Sequence, residues 1–544
     1  MEEPLFIGVD VGTGSTRAAL VNLNGKILKQ ACRPIQIWTP TPNYFQQSSQ
    51  DIWKACCHTI KEITKDIDPK CIKGIGFDAT CSLAVVDKNG DPVSISPKGE
   101  KDQNVIMWMD HRAKKEADFI NLTKHRVLES VGGKVSLEME IPKLLWLKKN
   151  CKKCWEEADL FLDLPDFLTW KATGSQSRSL CSVVCKWMYE ATPTEKGRWN
   201  KEFFDEIGLS DLCDNDFYRI GQVIKTPGEP CEDGLSKNIA EELNLIPGIA
   251  VGTSIIDAHA GGLGLIGCKV DNNPIDLTTR LSLICGTSTC HMAVNKTRLF
   301  VQGVWGPYYS AMIPGLWLNE AGQSATGKLI DHIIDSHPAT AKMKEKLQSG
   351  TRIIDHLNAL VKELAAKSNK SFDSLTENIH IWPDFHGNRS PIADPTLKGM
   401  ISGIDLGNDE ENLVLLYLAT VQAVGYGTRH IMEVMQEKGY IFDSILACGG
   451  LSKNELFLKS QANIVSKSVL IPEEAESVLI GAAILGATAS GVFNDVEEAA
   501  KSMGGKAITV EPCLEVSRYH NKKYKVFKKM LDHQLLYQNI MQEE

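Results

Sequence analysis

The stretch Phe6-Ile-Gly-Val-Asp-Val-Gly-Thr-Gly-Ser-Thr-Arg-Ala-Ala-Leu-Val21 constrains the fold more than any other: an apolar run, a glycine turn rich in hydroxyls, then a second apolar run. This pattern predicts two strands joined by a tight turn, and Asn24-Gly25 beyond it marks a further hairpin because both residues tolerate positive φ. The first strand ends on Asp10, where a carboxylate can hold a metal through water. After it, Gly12, Thr13, Gly14 and Ser15 offer N–H groups and hydroxyls to an anion, as a phosphate-gripping turn requires. Taken alone, the same residues also describe an ordinary Gly-rich hairpin.

The pattern returns in the second half. Leu281-Ser-Leu-Ile-Cys-Gly-Thr-Ser-Thr-Cys-His-Met-Ala-Val294 is again strand, Gly-Thr turn, strand, with Gly286-Thr287 standing where Gly12-Thr13 stood. A duplicated scaffold follows, two lobes each opening with a hairpin. Ile284 occupies the place of Asp10, so one lobe carries the metal carboxylate and the other supplies only a turn. Two such turns on one cleft would clasp a polyphosphate from both sides. The polar segment 268–277 divides the chain into a first lobe, 1–267, and a second, 278–544.

Between these hairpins several segments end in polar groups. Ser48-Ser-Gln-Asp51 reads as the capped start of an amphipathic helix. Ile72 to Asp87 reads as strand, polar break, strand, placing Asp78 and Cys81 at a strand end, where α/β folds bind ligands. Trp108 is either a stacking surface for a sugar or a core residue. Lys186, among apolar neighbours, either snorkels to water or donates to hydroxyls in a cleft. In Pro247 to Gly264 an apolar strand ends at Asp257, either the N-cap of the next helix or a carboxylate poised to accept a proton from a hydroxyl. Ser444-Ile-Leu-Ala-Cys448, then Gly449-Gly450, then Ser452-Lys-Asn-Glu455, predicts a buried strand, a sharp turn and a capped helix, a flat backbone surface suited to a planar base.

Two motif matches fail their context. Gly262-Leu-Gly-Leu-Ile-Gly267 fits a dinucleotide fingerprint but continues into polar, helix-breaking sequence, and Gly322 to Lys328 fits most of a P-loop but is followed by Leu329 where a hydroxyl is needed. A net charge of -9 argues against a nucleic-acid or anionic-membrane binder. The apolar run Val478 to Phe493, rich in Gly and Ala, is short for a membrane span and predicts a helix packed tightly in a core. The acidic N-terminus shows no secretory signal, and sixteen scattered cysteines fit reduced thiols, so a cytoplasmic location is expected. Cys151-x-x-Cys154 lacks further ligands at zinc spacing.

With these motifs in place, the chain resembles the FGGY carbohydrate kinases over nearly its whole length. Phe77-Asp-Ala-Thr-Cys81, Ile256-Asp-Ala-His-Ala260 and Asn319-Glu-Ala-Gly-Gln-Ser324 are similar to the ribulokinase branch of that family. The resemblance implies an α/β, two-lobed fold of the actin, hexokinase and Hsp70 kind (ribonuclease H-like), with a duplicated core and a cleft between lobes. It implies ATP-dependent phosphorylation of a ketopentose at its terminal hydroxyl, D-ribulose to D-ribulose 5-phosphate, with ATP and Mg2+ as cofactors. The alternatives are L-ribulose, ribitol, xylulose or glycerol as acceptor, or an ATP-switched protein without kinase activity. By the same resemblance Asp10 takes the magnesium role and Asp257 that of catalytic base. Thr13, Gly14, Ser15, Arg17, Gly286 and Thr287 lie near the phosphates, while Gly322, Gly450 and Asn454 contact the nucleoside. Cys81, Lys186 and Glu320 match sugar contacts and Trp108 a wall residue, while the residues themselves add Asp78, and Asp257 as base also meets the substrate. The family's Gly-Glu-Arg loop reads here Gly387-Asn-Arg389. The partners implied are a small sugar or polyol and ATP, with no nucleic acid or membrane, and a homodimer is left open.

Overall fold

The computed structural model describes residues 3–96, 98–194, 197–271, 274–348 and 350–543. Strands β1 (Leu5–Val11), β2 (Ser15–Asn22) and β3 (Ile27–Pro34) form an antiparallel meander. Gly25, at φ +77°, turns the chain between β2 and β3. Strand β4 (Ile72–Ala79) joins β1 in parallel, and the short β5 (Ala250–Val251) and β6 (Ile255–Ile256) pair with β4 in parallel.

The second sheet repeats this plan. Strands β7 (Arg280–Cys285), β8 (Thr289–Asn295) and, beyond the edge strand β9 (Trp305–Tyr309), β10 (Trp317–Gln323) make the meander. Strand β11 (Ser444–Cys448) runs parallel to β7, and β12 (Ser468–Pro472) parallel to β11, with β13 (Ala507–Val510) closing the sheet antiparallel. Strand order is therefore 3-2-1-4-5 in one sheet and 10-8-7-11-12 in the same places of the other.

Every residue of β1 is buried because both faces are covered. Leu5, Ile7, Val9 and Val11 point into a core shared with Ile52, Cys56 and Ile60 of helix α1 (Ser49–Thr64), while Phe6 faces the opposite core. Helix α1 begins as expected, with Ser48 Oγ accepting from Asp51 N at 3.3 Å.

What positions the cleft is an exchange of helices. After β6, helix α2 (Asp257–Ile266) packs on the second sheet, where a Cβ on Gly261 would stand 3.1 Å from the side chain of Ile284. After β12, helix α3 (Ser477–Ala489) packs back on β1 and β4 of the first sheet. This is the predicted Gly- and Ala-rich core helix, and no helix among the described residues is long and apolar enough to cross a membrane. A Cβ at Gly8, Gly74 or Gly76 would fall within about 2 Å of the α3 backbone, so only glycine lets helix and sheet close to this distance. Helices α2 and α3 also touch each other, since a Cβ on Gly481 would lie 1.9 Å from Ala260 O. Gly481→Ala is therefore expected to destabilise the protein by about 3 kcal/mol or more, because the obstruction is backbone and cannot rotate away. Thermal melting checks this, and an unchanged midpoint would contradict it.

Two local expectations are corrected. The helix after Gly449-Gly450 is capped by Asn454, whose side chain accepts from Leu456 N and Phe457 N, and Ser452 sits one turn earlier in a short 3-10 segment, bonded to Gly449 O. Asp257 is the first residue of its helix rather than the cap, a position held by Ile256. Gly262 to Gly267 runs along α2 and its end rather than through a strand-to-helix turn, in agreement with its rejection as a dinucleotide fingerprint. Of the expected linker, Asn272 and Asn273 lie outside the described residues. Its start is tied to the second lobe by Lys269, which accepts from Ala507 N at 2.7 Å.

Candidate active site

The carboxyl ends of β1, β4 and β6 bring three aspartates together. Asp10 stands beside Asp78 in the parallel register of β1 and β4, and Asp257 follows Ile255-Ile256, which pair with Asp78 and Ala79. The corresponding pair in the second sheet is Ile284 beside Cys448, so the acidic end belongs to one lobe only. Asp10 and Asp78 are fully buried. Arg17, next to Asp10 across β2, is ion-paired to it and reaches across the cleft to Glu476 Oε2 at 3.0 Å, just before α3.

Burial raises all three carboxyls. For Asp78 the charges of Asp10 and Asp257 add to it, carrying the group well above the ordinary range, whereas Arg17 partly offsets the effect at Asp10. Asp257 is pushed up to about 7 by burial and the charge of Asp10, although its Oδ1 accepts from Ala258 N at 2.7 Å. A set of buried oxygen donors with a single arginine among them suits a hard divalent cation such as magnesium, which would neutralise the surplus negative charge. The residues present therefore fit that ion.

Each glycine turn is closed by the N–H of its first glycine, and the second turn is one residue shorter than the first. Gly12 N donates to Ser15 O at 3.0 Å and Gly286 N to Ser288 O at 2.8 Å, leaving Gly14, Gly286 and Thr287 exposed at the tips. Gln47 Nε2 holds Thr13 O at 2.9 Å, and Thr13 Oγ1 accepts from Trp108 Nε1 at 3.0 Å. Trp108 thus supports the first turn with its indole N–H. Gly449, at φ +86°, lies against Cys285 O, which sets the exposed Gly450 beside the second turn.

A second buried group adjoins the aspartates. Lys186 closes helix Leu180–Lys186, and Glu320 lies on β10, both about 3 % exposed. Burial opposes the charge of each. Cys81, Glu320 and Glu138 nonetheless hold Lys186 protonated well above its ordinary value, and Lys186 with Arg389 carries Glu320 below its own. Arg389 bonds to Glu320 Oε1, and Lys186 Nζ and Arg389 Cζ lie 4.7 and 4.3 Å from the centre of the Trp305 ring. His259, on α2, has Nε2 at 3.6 Å from Glu320 Oε2, and burial lowers its pKa to about 4, so it is neutral. Lys186 also acts electrostatically on Asp257, which links the two groups.

Most of the expected site residues therefore converge, with three differences. Asp78 joins Asp10 and Asp257 rather than Lys186 and Glu320. Gly322 makes room for Arg389, since a Cβ there would stand 2.9 Å from Arg389 Cδ. The amide of Asn454 is turned inward, donating to Tyr417 Oη and accepting from Asn358 and the helix start. Arg389, Trp305, Glu138, His259 and Glu476 were not singled out as site residues. The Gly387-Asn-Arg389 loop and the histidine of Asp257-Ala-His259 were the signals for two of them.

This architecture is two α/β sheets of one plan, with the acids at the strand ends of one of them only. Residues 5–226 match the N-terminal domain and residues 281–490 the C-terminal domain of the FGGY family of carbohydrate kinases. The chain belongs to that family, whose activity is ATP-dependent phosphoryl transfer to a carbohydrate. It is 50% identical to the FGGY carbohydrate kinase domain-containing protein of Homo sapiens over 549 residues, covering 100% of this chain and 98% of that one. It is 39% identical to a D-ribulokinase of Saccharomyces cerevisiae, covering 93% of this chain and 74% of the yeast protein. Its fold matches the crystal structure of gluconate kinase from Lactobacillus acidophilus with a TM-score of 0.78 at 16% identity, over 98% of both chains.

Proposed function

We propose that this protein transfers the γ-phosphoryl group of ATP to the terminal hydroxyl of a ketopentose, converting D-ribulose to D-ribulose 5-phosphate. The observation that carries the reading is the place of Asp257, between the acidic strand ends beside the first turn and the buried Lys186–Glu320–Arg389 group. Buried, fixed cations and an anion suit a small ligand dense in hydroxyls, which can donate and accept at each position. The likeness to a yeast D-ribulokinase supports the choice of sugar. We keep 268–277 as the division between lobes, because the two sheets fall on either side of it.

In this reading the two turns hold the phosphates, and Arg17 stands beside the transferred group. Asp10, with Asp78, would hold magnesium, which spreads the charge of the phosphates when bound. Asp257 accepts the hydroxyl proton as the oxygen attacks in line. The exchange of α2 and α3 makes each lobe carry a piece of the other, so closure would move rigid bodies and exclude water.

The test is ADP release over a panel of pentoses and polyols. D-ribulose is expected to give the highest kcat/KM, and a higher value for L-ribulose, ribitol, xylulose or glycerol would reassign the substrate. A pH dependence follows from the same group. Only ionised Asp257 accepts a proton, so kcat/KM is expected to fall about tenfold per pH unit below about 7 and to level off above it. A profile with no acid limb would contradict the assignment.

A further inference from the structure

Beside the sugar group lies a cluster that phosphoryl transfer does not use. Helix Leu180–Lys186 carries Cys181 and Cys185 four residues apart, hence on one face, and His259 approaches them from α2. All three are buried, and one ligand atom from each, two sulfurs and a ring nitrogen, lie within 4.8 Å of one another. Cys185 Sγ and His259 Nε2 are 3.5 Å apart. Ligand distances of about 2.3 Å for sulfur and 2.0–2.1 Å for nitrogen place two such donors roughly 3.5 Å apart on a tetrahedral zinc ion.

Two buried thiols beside an imidazole are by themselves ordinary core. An independent observation points to a ligand: Glu320 Oε2 is buried without a hydrogen-bond partner and lies 3.6 Å from the same His259 nitrogen, while Arg389 takes the other carboxylate oxygen. Glu320 is not one of the three clustered groups, but its free oxygen stands next to the histidine that is.

We propose that Cys181, Cys185 and His259 form a binding site for a thiophilic divalent cation of the zinc type, and that filling it draws in Glu320 from beside His259 as the fourth ligand, which withdraws Glu320 from the sugar and inhibits phosphorylation. On binding, each thiol loses its proton to solvent, and two thiolates, a neutral imidazole and a carboxylate surround the ion with a net charge of -1, which Lys186 and Arg389 face. The metal site stands on its own geometry, and the inhibition rests on the role of Glu320 in the proposed function.

The experiment titrates the purified full-length protein with Co2+ in the absence of sugar and ATP and follows thiolate-to-metal charge-transfer absorption. One equivalent is expected to give the band in the unaltered protein, and Cys181→Ala and Cys185→Ala are each expected to lose most of it. No band, or a band that survives in both variants, overturns the site. Should one variant fail to fold, the other carries the test. In parallel, Zn2+ is expected to inhibit sugar phosphorylation, reversibly with a chelator, and Cys181→Ala to raise the inhibiting concentration at least tenfold. A wild-type enzyme that binds Co2+ but is inhibited equally with and without Cys181 overturns the inhibition. If no sugar is phosphorylated at all, the proposed function fails while the cobalt band still decides the site.

Discussion

Asp257→Asn is expected to lower sugar-dependent ADP release by roughly 10²–10⁴-fold, the range for loss of a positioned general base. ATP affinity should hold within about twofold, because the turns and Arg17 that would face the phosphates are untouched. The substitution is conservative in shape, and the amide oxygen still accepts from Ala258 N–H, so the helix start survives. It also removes one of three crowded carboxyls, which relieves Asp78. Turnover beside calorimetric nucleotide binding reads both effects. Unimpaired turnover would show that the proton leaves by another route.

The second large effect is at Glu320. Replacing it by Gln leaves the shape of the side chain but removes the anion between Lys186 and Arg389. Two buried cations then remain, with Glu138, 4.0 Å from Lys186, as the nearest compensation named for either. Breaking a buried ion pair from one side costs about 3–5 kcal/mol, against a total stability of roughly 5–15 kcal/mol. The variant should melt several degrees lower, and its KM for the sugar should rise by at least tenfold while KM for ATP stays near the wild-type value. A loss shared equally by both substrates would mean that Glu320 acts through the fold alone.

The parts of this architecture written locally were readable from the residues. The Gly12-Thr13 and Gly286-Thr287 turns announced their hairpins because a tight turn between apolar runs is a short-range pattern, and Asp10 against Ile284 announced which lobe is acidic. Ser48 capped its helix for the same reason. The exchange of α2 and α3 was not readable, because the run 478–493 states that a helix must be enclosed by small residues, not by which sheet. Gly8, Gly74 and Gly76 are legible only afterwards as the surface it closes on. Asn454 and Ser452 compete for one cap within three residues, and only the backbone geometry decides between them. Arg389 lies 69 residues from Glu320 along the chain, a separation that no spacing rule connects. For the same reason Asp78, read as a sugar contact at a strand end, could not be assigned from the sequence to its place beside Asp10.

The account stands most directly on where the phosphorus goes. With γ-labelled ATP and D-ribulose, the label should appear in a sugar monophosphate esterified at the terminal hydroxyl, at a rate that falls to near zero without the sugar. Label released as inorganic phosphate at one rate, sugar or no sugar, would contradict it and mark the protein as a nucleotide switch instead.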